Sequence, residues 1–129
     1  MEYISNSLIQ NGVDVNGVLS RLGGNEVLYL TICKKFINDK NFHSLKEALS
    51  TNNLRSAEIH VHTLKGVAAN LGFLRIEFLC KIILEDLKNN ELQSIHDRMG
   101  ILSIEYNKII SVLKEEITLP KLEEPHETL

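Results

Sequence analysis

The stretch that decides the fold is residues 54–71, which read LRSAEIHVHTLKGVAANL. Its apolar residues recur at steps of three and four, the spacing of one buried helical face; they are Leu54, Ala57, Val61, Leu64, Ala68 and Leu71. Gly72 follows directly and is expected to end the helix. The stretch therefore predicts a long amphipathic helix that packs within a bundle.

The sequence before this stretch also carries helical patterns. Asp14 can N-cap a short helix, which the glycine pair at 23–24 should end. Asn25 can cap a second, long helix, and the polar residues 38–41 predict a kink or a break inside it. The N-terminal half is therefore predicted to be helical throughout.

The sequence after residue 72 continues in the same way. A fourth helix is predicted over about residues 73–88, and a fifth should begin near Leu92 and end near Ile117. The only two prolines, Pro120 and Pro125, lie beyond these helices. Short turns between long helices favour antiparallel neighbours, so the predicted fold is all-α: an up-down antiparallel four-helix bundle with a short additional N-terminal helix.

Length and composition limit the class of protein. A chain of 129 residues fits one domain, predicted over residues 1–118, with residues 119–129 as a flexible tail or linker. The net charge of -3 argues against a nucleic-acid partner. No apolar stretch approaches the roughly 20 residues that span a bilayer, so direct membrane contact is not expected. Cys33 and Cys80 fit helix cores, which favours a reduced, cytoplasmic protein.

His62 is the candidate functional residue. Four residues share its face of the helix, Glu58 at -4, Lys65 at +3, Gly66 at +4 and Ala69 at +7. The apolar seam lies on the opposite side, so His62 should point outward. Imidazole groups ordinarily titrate near pH 6.5, which leaves a ring nitrogen free to attack near neutrality. An exposed imidazole with a cation one turn away suits a carrier of phosphoryl groups.

Gly66 is unusual for the interior of a helix, where glycine costs about 1 kcal/mol relative to alanine. Close approach of a partner protein would account for it. Tight packing against a neighbouring helix would account for it equally well. The residues themselves leave both explanations open.

Residues 62–72, HTLKGVAANLG, resemble the signature of the histidine phosphotransfer (HPt) domain family. The family's opening helix and turn are resembled by Val13-Asp14, residues 19–25 and Tyr29-Leu30, and Leu79-Cys80 matches a frequent pair in its later helix. The resemblance extends over about residues 12–116. It implies that His62 is phosphorylated, that Lys65 stabilises the phosphoryl group, and that Gly66 and Ala69 leave clearance for the partner.

The resemblance also implies the partners. HPt domains relay phosphoryl groups between receiver domains of response regulators or hybrid sensor kinases. They are carriers without an ATP site of their own and bind no cofactor, because the receiver supplies Mg²⁺. A monomer is expected. The receivers served, the direction of transfer, and whether the chain is free-standing or the C-terminal domain of a hybrid sensor kinase stay open.

One position departs from the family pattern. A polar residue that often borders the histidine from the next helix is Leu84 here, with Lys81 and Lys88 flanking it on the same face. This stripe is either a solvated helix edge with one exposed leucine or part of a docking face. Glu58 is interpreted as a solvated acid or an i, i+4 partner of His62, and with the stripe it is a candidate for a docking or electrostatic role. Val15 and Val18 either extend an apolar docking patch or pack on the bundle.

Other functions are less well supported. His60 and His62 lie two residues apart and point in different directions on a helix, so no metal site is expected. A non-catalytic helical interaction module that has kept the fold is the second hypothesis. A more remote one is the phosphoacceptor domain of a chemotaxis-type kinase. Because His62, Lys65 and Gly66 occur together, the phosphorelay carrier is favoured.

Overall fold

The structure is a computed structural model that describes residues 6–118, with side-chain surroundings up to residue 116. The predicted tail, residues 119–129, lies outside the described residues. The described part contains seven helices: α1 (Asn6–Gln10), α2 (Val15–Arg21), α3 (Glu26–Ile37), α4 (Asn41–Ser50), α5 (Leu54–Leu71), α6 (Leu74–Lys88) and α7 (Leu92–Thr118). Its one extended pairing is an isolated bridge between Val13 and Phe73. The predicted all-α class is confirmed.

The N-terminal region contains one helix more than predicted. The predicted short helix is α2, whose cap is Asp14: its carboxylate accepts a hydrogen bond from the backbone N–H of Gly17 at 3.1 Å. The additional helix is α1, with only five residues. It is anchored by the fully buried Leu8, and it packs against α7. Tertiary burial therefore stabilises this single turn, as is usual for very short helices.

The predicted kink or break at residues 38–41 is a break. The helix α3 ends at Ile37 with Asn38 as its C-cap, and the Asp39 carboxylate accepts a hydrogen bond from the backbone N–H of Asn41 at 2.8 Å. A short polar side chain that binds the backbone two residues on competes with helix formation and favours a turn. The helix α4 therefore begins anew at Asn41.

The four helices α4 to α7 form the predicted antiparallel bundle. α5 packs between α4 and α6, and α6 packs between α5 and α7. Nδ1 of His60 lies 3.2 Å from the side-chain oxygen of Asn41, which joins the middle of α5 to the start of α4. Arg98 and Asp86 form an ion pair of 2.9 Å between the start of α7 and the end of α6. Both contacts are consistent with neighbouring helices that run in opposite directions.

Aromatic rings join α3 and α4 to α7. Tyr106 of α7 stacks on Phe42 with ring centroids 4.2 Å apart, and Phe36 lies 5.5 Å from the same ring. Phe36 also meets Phe73 edge-on at 5.0 Å. Such pairs add to the free energy of burial. They place the broken α3–α4 unit against α7 and leave α5 and α6 to form the opposite face.

Both cysteines are free and buried, as predicted. Desolvation by burial raises the pKa of the Cys33 and Cys80 thiols to about 12. Such groups remain protonated near neutral pH and are poor nucleophiles. They therefore act as core residues.

The helix α2 covers the C-terminal end of α5. Gly72 adopts φ 77°, and a Cβ atom added there would lie 2.8 Å from the backbone oxygen of Asp14. The Arg21 guanidinium donates to the backbone oxygens of Ala69 and Asn70 at 3.3 Å each. The Ala69 oxygen also accepts a hydrogen bond from the backbone N–H of Gly72 at 3.3 Å. Carbonyls in the last turn lack the N–H donors of a continuing helix, and Arg21 supplies additional donors there.

Val15 and Val18 each keep only 1% of their surface exposed. The hypothesis that they extend an apolar docking patch is therefore wrong. Instead they fix the position of α2 on the bundle, because their burial removes apolar surface from water.

Candidate functional site

His62 lies near the middle of α5, the best-anchored helix of the bundle. Asn53 caps this helix by accepting a hydrogen bond from the backbone N–H of Ser56 at 3.1 Å. The predicted seam is buried, with Val61 and Leu64 fully inaccessible, whereas His62 is exposed. The imidazole is thus presented to solvent on a helix whose opposite side is fixed in the core, as predicted.

His62 opens onto a hollow of about 630 Å³ between α5 and α6, called here the His62 hollow. It is lined by His62 itself and by Arg55, Glu58, Ile59, Thr63, Leu84 and Lys88. The structure therefore brings together four of the predicted site residues, including the two on α6 at positions 84 and 88. Two cations and one carboxylate surround the imidazole.

Lys65 and Lys81 lie in a second hollow of about 460 Å³, called here the Lys65 hollow, together with Leu74, Glu77 and Phe78. Both hollows run along the groove between α5 and α6, because His62 and Lys65 are one turn apart on the same helix. The predicted cations are thus distributed over two neighbouring hollows.

Gly66 and Ala69 continue the outward face of α5 beyond His62. Gly66 is exposed, and a Cβ atom added to it would meet no atom of the described chain within 4 Å. The alternative that Gly66 allows tight packing against a neighbouring helix is therefore wrong. Ala69 is half-buried. The surface next to His62 is consequently low and open.

Leu84 keeps only 8% of its surface exposed and forms part of the wall of the His62 hollow. The alternative of a solvated helix edge with one exposed leucine is therefore wrong. An aliphatic group occupies the place from which α6 could have offered a hydrogen bond. A docking role for the stripe formed by Lys81, Leu84 and Lys88 stays a prediction.

The ionisable groups of the His62 hollow have no fixed partners. Arg55, Glu58, His62 and Lys88 form no ion pair or side-chain hydrogen bond with any residue in the range 6–116. The interpretation of Glu58 as a solvated acid is thereby favoured over a fixed pair with His62. All four side chains are exposed and can reorient around an incoming group.

The neighbouring histidine serves another purpose. His60 is half-buried and is held by Asn41 on the α4 side of α5, whereas His62 opens toward α6.

Among the described residues, no group of three or more His, Cys, Asp or Glu side chains could hold a metal ion. Within the same range, no helix combines the length and the apolar character needed to cross a membrane.

Sequence reasoning missed three residues that line the hollow beside His62, namely Arg55, Ile59 and Thr63. Arg55 lies seven residues before His62, two turns away on the same face, a spacing that could have been read from the helix period. Ile59 is 59% exposed. The only signal for Ile59 in the sequence is that it is an apolar residue on the polar face of α5. Single exposed apolar residues are common, so this signal is weak.

Comparison with known proteins gives one result. The family model for the Hpt domain matches residues 38–118, which is more than half of the chain. Neither the search of curated proteins nor the search of solved structures found a match. The matched range includes all of α4 to α7 and thus both hollows.

Proposed function

Because the chain belongs to the Hpt domain family, whose members carry phosphoryl groups in two-component phosphorelays, we propose that it accepts a phosphoryl group on His62 from the aspartyl phosphate of one receiver domain and passes it to an aspartate of another. The family consists of phosphotransfer carriers that are not kinases themselves. Receiver domains are the kind of partner with which it works.

The observation that carries the proposal is the open surface around His62. Its imidazole is exposed, and the neighbouring position on the same face, Gly66, has free space where a side chain would stand. A phosphorylated aspartate lies on another protein, so the acceptor must be reachable by a large body. The buried seam of α5 holds the imidazole in a constant place, which is the main contribution a carrier can make.

The chemistry requires only one bond to change partners. The unprotonated Nε2 of His62 attacks the phosphorus of the aspartyl phosphate, the Nε2–P bond forms as the P–O bond breaks, and the aspartate leaves as a carboxylate with the electron pair. Negative charge is spread over the phosphoryl oxygens during transfer. Lys88 in the His62 hollow and Lys65 one turn along α5 supply positive charge on the carrier's side. Mg²⁺ is assigned to the receiver.

Docking is proposed to cover both hollows. The Lys65 hollow adjoins His62 and combines two cations with two exposed apolar residues, Leu74 and Phe78, which are 49% and 61% exposed. The acidic site around a receiver's aspartate complements these cations. Among the predicted docking residues, Lys81 then contacts the receiver from one hollow, and Glu58, Leu84 and Lys88 do so from the other.

The test is phosphotransfer from a panel of aspartyl-phosphorylated receivers to the wild-type chain and to His62→Gln. Phosphohistidine is stable in base and labile in acid, so label with this behaviour on the wild type alone supports the proposal. Absence of label from every receiver, with binding retained and unaffected by His62→Gln, would favour an interaction module instead.

A further inference from the structure

We propose that the Arg55 guanidinium holds the phosphoryl group carried by His62, in the place of the polar group that α6 lacks at Leu84. The inference rests on the proposed function and assigns it a residue that the sequence motif does not contain. It follows from which side chains share the His62 hollow, from the position of Arg55 in its helix, and from the charge in the hollow.

The first argument is the composition of the hollow. Its two cations are Arg55, from the first turn of α5, and Lys88, from the last turn of α6. Because α5 and α6 are antiparallel, these two residues lie at the same end of the groove, on the N-terminal side of His62. Lys65 is C-terminal to His62 and lines the other hollow. Arg55 and Lys88 therefore flank a phosphoryl group on His62 from the side opposite to Lys65.

The second argument is that Arg55 does nothing evident for the fold. It is exposed, and it forms no ion pair with Glu58 or with any other residue between 6 and 116. The first turn of α5 contains no acidic residue. A cation there is disfavoured by the partial positive charge at a helix N-terminus. Selection for helix stability alone would favour an acidic residue at this position.

The third argument is the charge of the hollow. Its two cations outnumber the single carboxylate of Glu58 by one, so the hollow has a net positive charge before transfer. A phosphoryl group brings between about -1.5 and -2 charges near neutral pH. Without Arg55, Lys88 alone would face both this group and Glu58. The added negative charge would then be left largely uncompensated.

The fourth argument concerns the chemical type of the residue. A guanidinium presents several N–H donors in one plane and can bind two phosphoryl oxygens at once, whereas an ammonium group acts as a point charge. Leu84 offers no donor, so hydrogen bonds to the phosphoryl oxygens must come from elsewhere. Arg55 can supply two of them from the same hollow.

The experiment measures the equilibrium of phosphotransfer between one receiver and His62 in the wild type, Arg55→Gln, Arg55→Lys and Lys34→Gln. Lys34 is exposed on α3 and lines neither hollow, so its variant controls for loss of one positive charge. Arg55→Gln should shift the equilibrium toward the receiver about two- to fivefold, the range expected for one exposed charge pair. The transfer equilibrium of Arg55→Lys should lie between those of the wild type and Arg55→Gln, and the equilibrium of Lys34→Gln should match that of the wild type.

A second measurement separates direct contact from a structural effect. The ³¹P resonance of phosphorylated His62 is titrated with pH after labelling by phosphoramidate. The phosphoryl group of this reagent is transferred to the imidazole, and its nitrogen leaves as ammonia when the P–N bond breaks. A nearby cation favours the deprotonated phosphoryl group, so Arg55→Gln should raise the proton-binding constant two- to fivefold. Circular dichroism should show no loss of helix content, because the substitution removes a cation that is unfavourable at the N-terminus of a helix.

The outcomes are distinguishable. If the wild type is labelled at His62 but Arg55→Gln equals Lys34→Gln in both measurements, this inference is wrong and the proposed function stands. If no receiver labels His62, the proposed function fails and the inference falls with it, whether or not phosphoramidate labels the imidazole. A shift in both measurements with partial rescue by Arg55→Lys supports the inference.

Discussion

His62 of α5 and Leu84 of α6 line the same hollow, so an aliphatic side chain stands where a hydrogen-bonding group could approach the imidazole. Leu84 is also nearly buried, with 8% of its surface exposed. The packing of the α5–α6 groove and the chemistry around His62 therefore depend on the same residue.

Replacing Leu84 with glutamine should separate these two contributions. The loss of buried apolar surface should lower the free energy of unfolding by about 1–2 kcal/mol. The new amide should donate to a phosphoryl oxygen and shift transfer equilibrium toward His62 by about two- to tenfold, the value of one net hydrogen bond. Urea denaturation and the receiver–carrier equilibrium measure the two effects. Leu84→Met preserves volume and should change neither the free energy of unfolding nor the transfer equilibrium appreciably. An unshifted equilibrium in Leu84→Gln would contradict the assignment of the His62 hollow as the place of the phosphoryl group.

Substitution of Gly66 should stabilise the fold and impair transfer. An added Cβ meets nothing within the described chain, so Gly66→Ala should raise the free energy of unfolding by about 0.5–1 kcal/mol through helix propensity. The bulkier Gly66→Leu should slow transfer from a receiver but leave labelling by phosphoramidate unchanged. Gly100 of α7 is a matched control, since it is also helical and unobstructed: Gly100→Ala and Gly100→Leu should leave transfer at the wild-type rate.

Phe78 should contribute to receiver binding without contributing to folding. It is 61% exposed beside Lys65 and Lys81. Phe78→Ser should weaken the receiver complex about tenfold, as expected when an interfacial aromatic anchor is removed, and titration calorimetry can measure this loss. Ile104 of α7 is even more exposed, at 74%, but lines neither hollow. Equal losses in Phe78→Ser and Ile104→Ser would show that docking is not centred on the α5–α6 groove.

Gly72 should be the glycine most sensitive to substitution. Its left-handed conformation costs an L-residue about 1–2 kcal/mol, and an added Cβ would also lie 2.8 Å from both the Asp14 oxygen and a methyl group of Val18. Gly72→Ala should therefore lower the free energy of unfolding by more than about 2 kcal/mol. Gly24 has a similar φ of 79° but open surroundings. Thermal melts should show a smaller loss for Gly24→Ala; losses of equal size would mean that the contact with α2 adds nothing.

Stability should decrease at alkaline pH. Burial raises the pKa of the Cys33 and Cys80 thiols from 9.0 to about 12 and that of the Tyr106 hydroxyl from 10.0 to about 12. Since the folded state favours the neutral forms, their contribution is complete below about pH 9 and is lost as pH rises toward 12. Urea midpoints between pH 7 and 11 should fall accordingly. Replacement of both cysteines by alanine should reduce this slope; an unchanged slope would assign it to other groups.

Much of the fold was determined by the spacing of apolar residues. The seam from Ala57 to Leu71 is buried as predicted and Leu54 at its start is half-buried, because residues three and four apart lie on one face of any α-helix. The same helix geometry predicts His62 on the outer face of α5 without reference to any neighbouring helix. The helix caps at Asp14 and Asn25 were also predicted from the sequence, since short polar side chains satisfy free N–H groups at helix starts.

The tertiary structure decided what surrounds His62. The register between α5 and α6 divides the cations between two hollows, and neither helix's own sequence specifies that register. It brings Arg55 and Lys88 beside His62, although 33 residues separate them in the chain. It also buries Leu84 and leaves Gly66 open, because exposure depends on where neighbouring helices end and not on the pattern within one helix.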